Sequence, residues 1–186
     1  MNNKPLHIFV GPSASGKTSV ADALEKYGKY QQLKSYTTRP PRYEGEIGHI
    51  FITKEEFDKL ETKIAYTEYN GHYYCATKQQ LDEVDIYVVD VPGIKTLIEN
   101  YDTERIINIL YFDVELITRV KNMVSRGDSD AAIVNRILTD EAYDWYDALI
   151  TLRDYAELFT NQKVNLHRID ANVSLDDLIK EVMIRI

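Results

Sequence analysis

The sequence predicts an α/β fold in which a parallel sheet is flanked by helices. The first sign is the apolar run at 6–10, which is followed by a Gly- and Ser-rich turn and a helical pattern over 18–26. The second is a continuous apolar run at 86–89 and a largely apolar one at 106–110, each with a helical pattern after it. Strands that alternate with helices form parallel sheets covered on both faces, and such strands are mostly apolar.

Composition favours one domain with a core of its own. The 186 residues are 44% hydrophobic and 28% charged, which is typical of a globular domain. The formal net charge of −8 repels polyanions, so we expect neither a nucleic-acid-binding surface nor a membrane-binding one. Because Cys75 is the only cysteine, an intrachain disulfide is excluded, and we expect a cytoplasmic protein without a signal peptide or membrane span.

The segment 33–84 predicts a small lobe of mixed strands and helices. Residues 35–48 are polar, aperiodic and rich in Pro and Gly, whereas Thr53 has the N-cap position of a short helix that ends near residue 60. Residues 64–74 contain Asn70-Gly71, a dipeptide that favours a two-residue hairpin turn. This lobe therefore interrupts the alternation of the core after its first helix.

The C-terminal half returns to the alternating pattern. Helices are predicted at three places, near 94–100, from about 114 to 125, and over most of 129–153. Short strands are predicted at 157–160 and 166–169, and Ser174 caps a last helix with an apolar stripe. The last strand and helix would complete the sheet and cover it.

The turn after the first strand has the phosphate-binding pattern G-x-x-x-x-G-K-[ST]. Its residues are Gly11, Pro12, Ser13, Ala14, Ser15, Gly16, Lys17 and Thr18. Between a buried strand and a helix, such a loop turns successive N–H groups around a phosphate, while the lysine neutralises charge and the Thr18 hydroxyl suits Mg²⁺. The alternative is an ordinary Gly- and Ser-rich loop, which the flanking strand and helix make the weaker interpretation.

Four further residues have two interpretations each. Arg39 and Arg42 are three residues apart on a proline-stiffened loop, which suits either a bidentate clamp on one phosphate or a solvated basic loop. Asp90 ends an apolar strand, where it is either a metal-shell or substrate-binding carboxylate or the start of a turn. We expect His7, on a buried strand, to be a satisfied core side chain rather than a metal ligand.

Taken together, these motifs resemble the guanylate kinase family of nucleoside monophosphate kinases. The segments that carry the resemblance are, in chain order, 11–18, 35–42, Gly45-Glu46, Gly48, 71–74, Asp90, Gly93, Arg126-Gly127 and Arg136. They extend over nearly the whole chain, from about residue 6 to 185. The combination of the loop with T-T-R-x-P-R at 37–42 is far more specific than either motif by itself.

The resemblance implies a single guanylate-kinase-like domain over 1–186, with a P-loop NTPase core and two smaller parts. The core would comprise 1–32, 85–123 and 141–186, a mixed α+β acceptor lobe 33–84, and a helical lid 124–140. The implied reaction is γ-phosphoryl transfer from ATP, with Mg²⁺ as cofactor, to GMP or dGMP. The implied partners are ATP and this small phosphorylated acceptor, in a monomer or a homodimer.

The resemblance also implies roles for individual residues. Catalytic charge compensation would come from Lys17, Arg39, Arg42, Arg126 and Arg136, and the metal would be held by Thr18. The acceptor would be bound by Ser35, Arg39, Arg42, Glu46, His49, Tyr74 and Asp90. Two of these have alternatives, because Arg126 suits a helix C-terminus and Arg136 has Asp140 one turn on as an ion-pair partner.

Departures from the family's pattern lie in the acceptor lobe. Ala65 is found where the family has a glutamate that reads the guanine edge, and His49 replaces a phosphate-binding tyrosine. Cys75 and Ala76 replace a glycine and a base-contacting hydroxyl residue, while Glu68 is a candidate substitute for the missing glutamate if strand parity permits. These departures leave two alternatives open.

The first alternative is an enzyme like the ribose 1,5-bisphosphate phosphokinases, or one that acts on another small phosphorylated acceptor. That family also has a shortened loop after the arginine motif and lacks the base-reading glutamate. Retention of Arg42 and of Gly45-Glu46 favours guanylate kinase instead. The second alternative is a non-catalytic guanylate-kinase-like binding module, but such modules tend to lose the phosphate-binding loop that is intact in this sequence.

Overall fold

The computed structural model describes residues 4–41, 44–69, 71–141 and 144–186. The strands within them are β1 (Leu6–Val10), β2 (Tyr36–Thr37), β3 (Ile50–Phe51), β4 (Ile64–Tyr69), β5 (His72–Ala76), β6 (Ile86–Val88), β7 (Ile107–Asp113) and β8 (Val164–Asp170). The helices are α1 (Lys17–Lys26), α2 (Lys54–Asp58), α3 (Lys78–Glu83), α4 (Val91–Asn100), α5 (Leu116–Ser125), α6 (Asp130–Glu141), α7 (Trp145–Tyr155) and α8 (Leu175–Met183). None of these helices has the length and apolar character that crossing a membrane requires.

The core is a parallel sheet with the strand order β6-β1-β7-β8. Buried side chains of α1 and α8 pack on one face, and those of α4 and α7 pack on the other. Every residue of β1 is buried, because this strand is central and covered on both sides. The predicted α/β fold with a flanked parallel sheet is confirmed.

A second sheet, ordered β3-β2-β5-β4, lies within the segment predicted as a lobe. β4 and β5 form the predicted antiparallel hairpin, although its turn residue Asn70 lies outside the described residues. The pairing register shifts between Ile64 and Thr67, where Ala65 has a left-handed φ of 53°. After this shift Thr67 is buried and Glu68 lies on the exposed side of the strand.

Side-chain caps fix the first residues of several helices. Thr53 forms a capping box with Glu56 at the start of α2, and Ser174 accepts from the Asp177 N–H at the start of α8, so both predicted caps are confirmed. The Asp90 carboxylate accepts from the Gly93 N–H, which lets α4 begin at Val91, earlier than predicted.

The strand predicted at 157–160 is wrong. Residues Ala156–Thr160 form a π-helical turn that continues α7, and the Thr160 hydroxyl donates to the Ala156 carbonyl at 2.8 Å. The buried face of α7, formed by Leu149 and Leu152, extends to Ala156, so helical packing prevails over the short apolar run. The helical stretch predicted over 129–153 is likewise divided between α6 and α7.

Polar side chains form a short ladder across one face of the parallel sheet. His7, Asn108 and Asn165 are register neighbours on β1, β7 and β8. The Asn108 amide nitrogen lies 3.3 Å from His7 Nδ1, and Asn165 donates to the Asn108 amide oxygen at 2.9 Å. Burial lowers the pKa of His7 to about 4, against the opposing charge of Asp85. The expectation that His7 is a satisfied core residue is confirmed.

We expect the free energy of unfolding to fall as the pH drops from about 6.5 to about 4. His7 takes up a proton near pH 6.5 in the unfolded chain but only near pH 4 in the folded protein. The free energy of unfolding therefore falls by about 3 kcal/mol between these two pH values. A His7→Gln variant should lack this part of the pH dependence. Urea unfolding of both proteins at each pH measures the difference, and parallel curves would contradict it.

Candidate active site

Residues 11–18 form the predicted loop between β1 and α1. Gly11 has a φ of 146° and Gly16 a φ of 92°, backbone conformations that other residues rarely adopt. A Cβ atom on Gly11 would lie 2.7 Å from the carbonyl oxygen of Phe112, so β7 leaves no room there for a larger residue. The loop is therefore held tightly against the sheet, with the positive end of α1 following it.

The Lys17 side chain folds back over this loop. Its ammonium group donates to the carbonyl oxygens of Gly11 and Pro12, at 2.7 and 2.8 Å, and to the Ser15 hydroxyl at 3.1 Å. Burial is the main cause that lowers the pKa of Lys17 to about 8, while the Asp140 carboxylate opposes the shift. Lys17 thus remains largely protonated at neutral pH, with its charge in the concavity of the loop.

Two cavities adjoin the loop. The P-loop cavity, of about 370 Å³, is lined by residues that include 14–19 and Arg126. The central cavity, of about 380 Å³, is lined by residues that include Lys17, Asp90 and Asp140. The two cavities share Lys17, so its side chain lies where they meet.

Two further cavities lie toward the second sheet. The first, of about 440 Å³, is lined by residues that include Ser13, Arg39 and Arg136, and is called the lid cavity because it borders the segment predicted as a lid. The lobe cavity, of about 160 Å³, is lined by residues that include His49 and Tyr74. Ser13 lines both the lid cavity and the central cavity, Tyr74 both the lid and the lobe cavity, and Asp90 both the lobe and the central cavity, so the four cavities are contiguous.

The lobe cavity is polar at its inner end. The Ser35 hydroxyl lies 2.9 Å from His49 Nδ1, and the Thr67 hydroxyl bonds to the Asp90 carboxylate. Burial raises the pKa of Asp90, although its bonds from Gly93 and Thr67 partly offset this shift. Asp90 therefore fits both interpretations, because it caps α4 and also lines the cavity.

The structure places Ala65 and Glu68 differently with respect to this cavity. Ala65 lines it, at the position where the family pattern has a base-reading glutamate. Glu68 lies on the opposite, exposed side of β4, so its carboxylate does not substitute for that group. Thr67, which sequence reasoning did not single out, supplies a polar group from the same strand.

Arg39 is held in place by Glu46. Its guanidinium donates to both carboxylate oxygens, at 2.7 and 3.2 Å, and lies 5.3 Å from the centre of the Phe51 ring. Both side chains are largely buried, at 11% and 7% exposed, and Arg39 Nε is buried without a hydrogen-bond partner among the described residues. Arg42, the second residue of the predicted clamp, lies outside the described residues.

Asp128 contacts both predicted lid arginines. Its carboxylate accepts from Arg126 Nε at 2.9 Å and lies 3.9 Å from Arg136 Nε. Arg126 lines the P-loop cavity and Arg136 the lid cavity, so the two guanidinium groups face different parts of the cleft. Arg136 does not use Asp140, whose carboxylate bonds to Arg119 instead.

Arg119 and Asp140 are a buried pair that sequence reasoning missed. Arg119 Nη2 donates to Asp140 Oδ2 at 2.6 Å, and the same oxygen accepts from the Ser13 N–H at 2.8 Å. The sequence did contain an indication of this pair. Arg119 lies one turn before Met123 on the buried face of α5, where an apolar residue is usual. A charged residue at such a position predicts a buried partner but does not identify it.

The residues around the loop fit a magnesium-bound nucleotide. Thr18 is exposed in the first turn of α1 and lines the P-loop cavity beside Lys17. A hydroxyl oxygen is a ligand that Mg²⁺ accepts, with its other positions taken by water and phosphate oxygens.

A phosphate-binding loop at the edge of a parallel sheet, facing an arginine-bearing lobe across a cleft, defines a P-loop phosphotransferase. The chain is similar to guanylate kinases of several bacteria. The guanylate kinase of Synechocystis sp. is 32% identical over 71% of this chain and 75% of the relative. That of Aliivibrio fischeri is 30% identical over 83% of each chain. That of Escherichia coli K12 is 29% identical over 85% of this chain and 84% of the relative. The chain belongs to the guanylate kinase family, as its motifs predicted. No protein-family model matches it.

We expect Gly11→Ala to destabilise the protein far more than Gly28→Ala. Both glycines have positive φ, at 146° and 72°, but a Cβ on Gly28 would meet nothing within 4 Å. The control should therefore lose only the left-handed backbone cost of about 1–2 kcal/mol. Gly11→Ala must also displace β7, for a total of about 3 kcal/mol or more. Chemical unfolding measures both losses, and equal values would contradict this account of the loop.

Proposed function

We propose that the protein is an ATP-dependent guanylate kinase, which transfers the γ-phosphoryl group of ATP to GMP or dGMP and forms ADP and GDP or dGDP. The observation that carries this proposal is one cleft bordered by cations. Lys17 lines the central cavity, Arg39 and Arg136 line the lid cavity, and Ser13 lines both, so these cations border one continuous cleft. The relatives named guanylate kinase indicate the acceptor.

In this proposal the loop 11–18 binds the donor phosphates. Lys17 exchanges its bonds to the loop carbonyls for bonds to phosphate oxygens, and the Thr18 hydroxyl holds Mg²⁺. When bound, Mg²⁺ neutralises phosphate charge and fixes the orientation of the transferred group. Arg126 is at the P-loop cavity, in a position to contact the same phosphates.

Arg39, Arg42 and the Tyr74 hydroxyl bind the acceptor phosphate in this proposal. Glu46 aligns the Arg39 guanidinium before the acceptor arrives, so less conformational entropy is lost on binding. The acceptor base enters the lobe cavity, where Ser35 and Asp90 supply polar groups. The role of Arg42 rests on the sequence motif.

Transfer itself needs little chemistry from the side chains. The acceptor phosphate is already anionic at neutral pH, so no general base is required, and catalysis consists of positioning and charge compensation. We assign the segment 33–84 to the acceptor lobe and 124–140 to a lid that carries Arg126 and Arg136. Closure of this lid would exclude water and limit ATP hydrolysis.

We expect GMP and dGMP to stimulate ADP release with a kcat/KM about tenfold or more above that for AMP, CMP, UMP or ribose 1,5-bisphosphate, because Ser35, Thr67 and Asp90 supply the polar groups of the lobe cavity although Ala65 provides no carboxylate. A coupled assay of ADP release measures all of them. Activity that no acceptor stimulates would contradict the transferase, and a preference for ribose 1,5-bisphosphate would contradict the acceptor assignment.

Lys17→Ala should lower kcat by about 10²–10³ because the phosphates lose their buried cation. The matched control is Lys26→Ala, which removes an exposed lysine at the other end of α1 and should leave kcat unchanged. Circular dichroism checks that both variants fold. Full activity of folded Lys17→Ala would show that the loop does not bind the transferred group.

Glu46→Gln should raise the KM for GMP about tenfold and leave the KM for ATP unchanged. A glutamine cannot form the charge-assisted bidentate hydrogen bonds by which Glu46 holds Arg39. A tenfold rise corresponds to a loss of about 1.4 kcal/mol in acceptor binding. Glu44→Gln, an exposed neighbour on the same loop, is the control. Steady-state kinetics with each substrate varied separate the two KM values, and a parallel rise in both would contradict the assignment.

A further inference from the structure

Arg119 and Asp140 join three distant parts of the chain at Ser13. The Ser13 N–H donates to Asp140 Oδ2 at 2.8 Å, and the Ser13 carbonyl accepts from Arg119 Nε at 3.2 Å. The two side chains close the arrangement with their own bond of 2.6 Å. One loop residue is thus held through both of its backbone groups, by one side chain from α5 and one from α6. We call Arg119 and Asp140 the clamp.

The clamp is buried and directional. Its side chains are only 4% and 8% exposed, so water competes little for these bonds. A buried ion pair is often replaceable by apolar residues without loss of stability, which means that stability alone does not account for it. What the pair supplies is a fixed geometry, since the planar guanidinium binds a carbonyl and a carboxylate in set directions.

The clamp also connects walls of the cleft. Asp140 lines the central cavity together with Ser13 and Lys17, and Arg136 lies one turn before Asp140 on α6. Ser13 and Arg136 both line the lid cavity. A shift of the clamp would therefore move the P-loop wall and the wall that carries Arg136 relative to each other.

We propose that Arg119 and Asp140 are positioning residues, which hold Ser13 and α6 in register so that the loop and Arg136 act on the same phosphoryl group. This inference rests on the proposed function, because it concerns the transfer that the cleft performs. In this proposal the clamp does not contact either substrate, although Asp140 lines the central cavity. It acts through the Ser13 backbone and through the placement of Arg136.

The protein contains a reporter at the clamp. Trp145 is the only tryptophan in the chain, and its indole N–H donates to the Asp140 carbonyl at 3.0 Å. Binding at the P-loop that shifts the clamp should therefore change the fluorescence of Trp145. The measurement uses the donor nucleotide alone. Because Trp145 also lines the central cavity, the part of the signal that reports on the clamp is the part that is lost when the clamp is removed.

The informative variant is the double substitution Arg119→Met with Asp140→Leu, which removes the clamp without leaving a buried charge unpaired. We expect kcat with ATP and GMP to fall tenfold to hundredfold, while the KM for ATP changes less than threefold and the melting temperature stays within a few degrees. Arg119→Lys keeps the charge but not the planar fork, so it should also lose about tenfold in kcat. Glu141→Gln, which removes the exposed second partner of Arg119, is the control and should behave as wild type.

Adding a nonhydrolysable ATP analogue with Mg²⁺ should change Trp145 emission in the wild type and by less than a third as much in the double variant, although calorimetry detects binding to both.

Three results would overturn the proposal. The first is a wild-type kcat in the double variant. The second is a loss of kcat in the double variant and in Arg119→Lys that is matched by a large fall in melting temperature. The third is a lower KM for ATP at unchanged kcat, which would mean that Asp140 competes with phosphate. A wild-type protein that gives the fluorescence result but no transfer to GMP would contradict the proposed function and leave the clamp supported.

Discussion

The cations of the cleft are held by carboxylates before any phosphate arrives, and the site depends on this pairing. Arg39 is aligned by Glu46, Arg126 and Arg136 face Asp128, and Asp140 counters the fall in the Lys17 pKa. Without a nearby carboxylate a buried lysine would lose its proton, whereas a guanidinium stays charged and would turn toward water. The chain has a net charge of −8, and some of its carboxylates fix the lysine and arginine side chains of the cleft in place. The cleft therefore keeps positive charge at these side chains within an acidic protein.

Local signals explain how much of the structure could be predicted from the sequence. The glycines of 11–18, the Thr53 and Ser174 caps and the hairpin around residue 70 depend on backbone geometry, which neighbouring residues determine. Long-range packing explains the failures. The run at 157–160 is short enough to fit a strand or the end of a helix, and only the buried face of α7 decides between them.

The proposed acceptor lobe and the clamp show the same limit at the level of side chains. Whether Glu68 replaces the missing glutamate could be judged from the sequence only by counting alternate residues along the strand. The irregular pairing after Ile64 makes such a count unreliable. Arg119 is identifiable as an unusual residue on an apolar helix face, but its partner is 21 residues away along the chain. Motifs therefore predicted the candidate phosphate-binding residues, whereas Arg119 and Asp140, which hold the loop in place, emerged only from the fold.

The most direct test of the central claim is the affinity for a bisubstrate analogue in which adenosine and guanosine are joined through five phosphates. If one cleft holds donor and acceptor together, this compound with Mg²⁺ should bind at least about 100-fold more tightly than a nonhydrolysable ATP analogue or GMP alone, as measured by calorimetry. Lys17→Ala and Arg39→Ala should each remove most of that gain. A bisubstrate affinity no greater than that of the ATP analogue would contradict the account, because the two anion sites would then not belong to one reaction path.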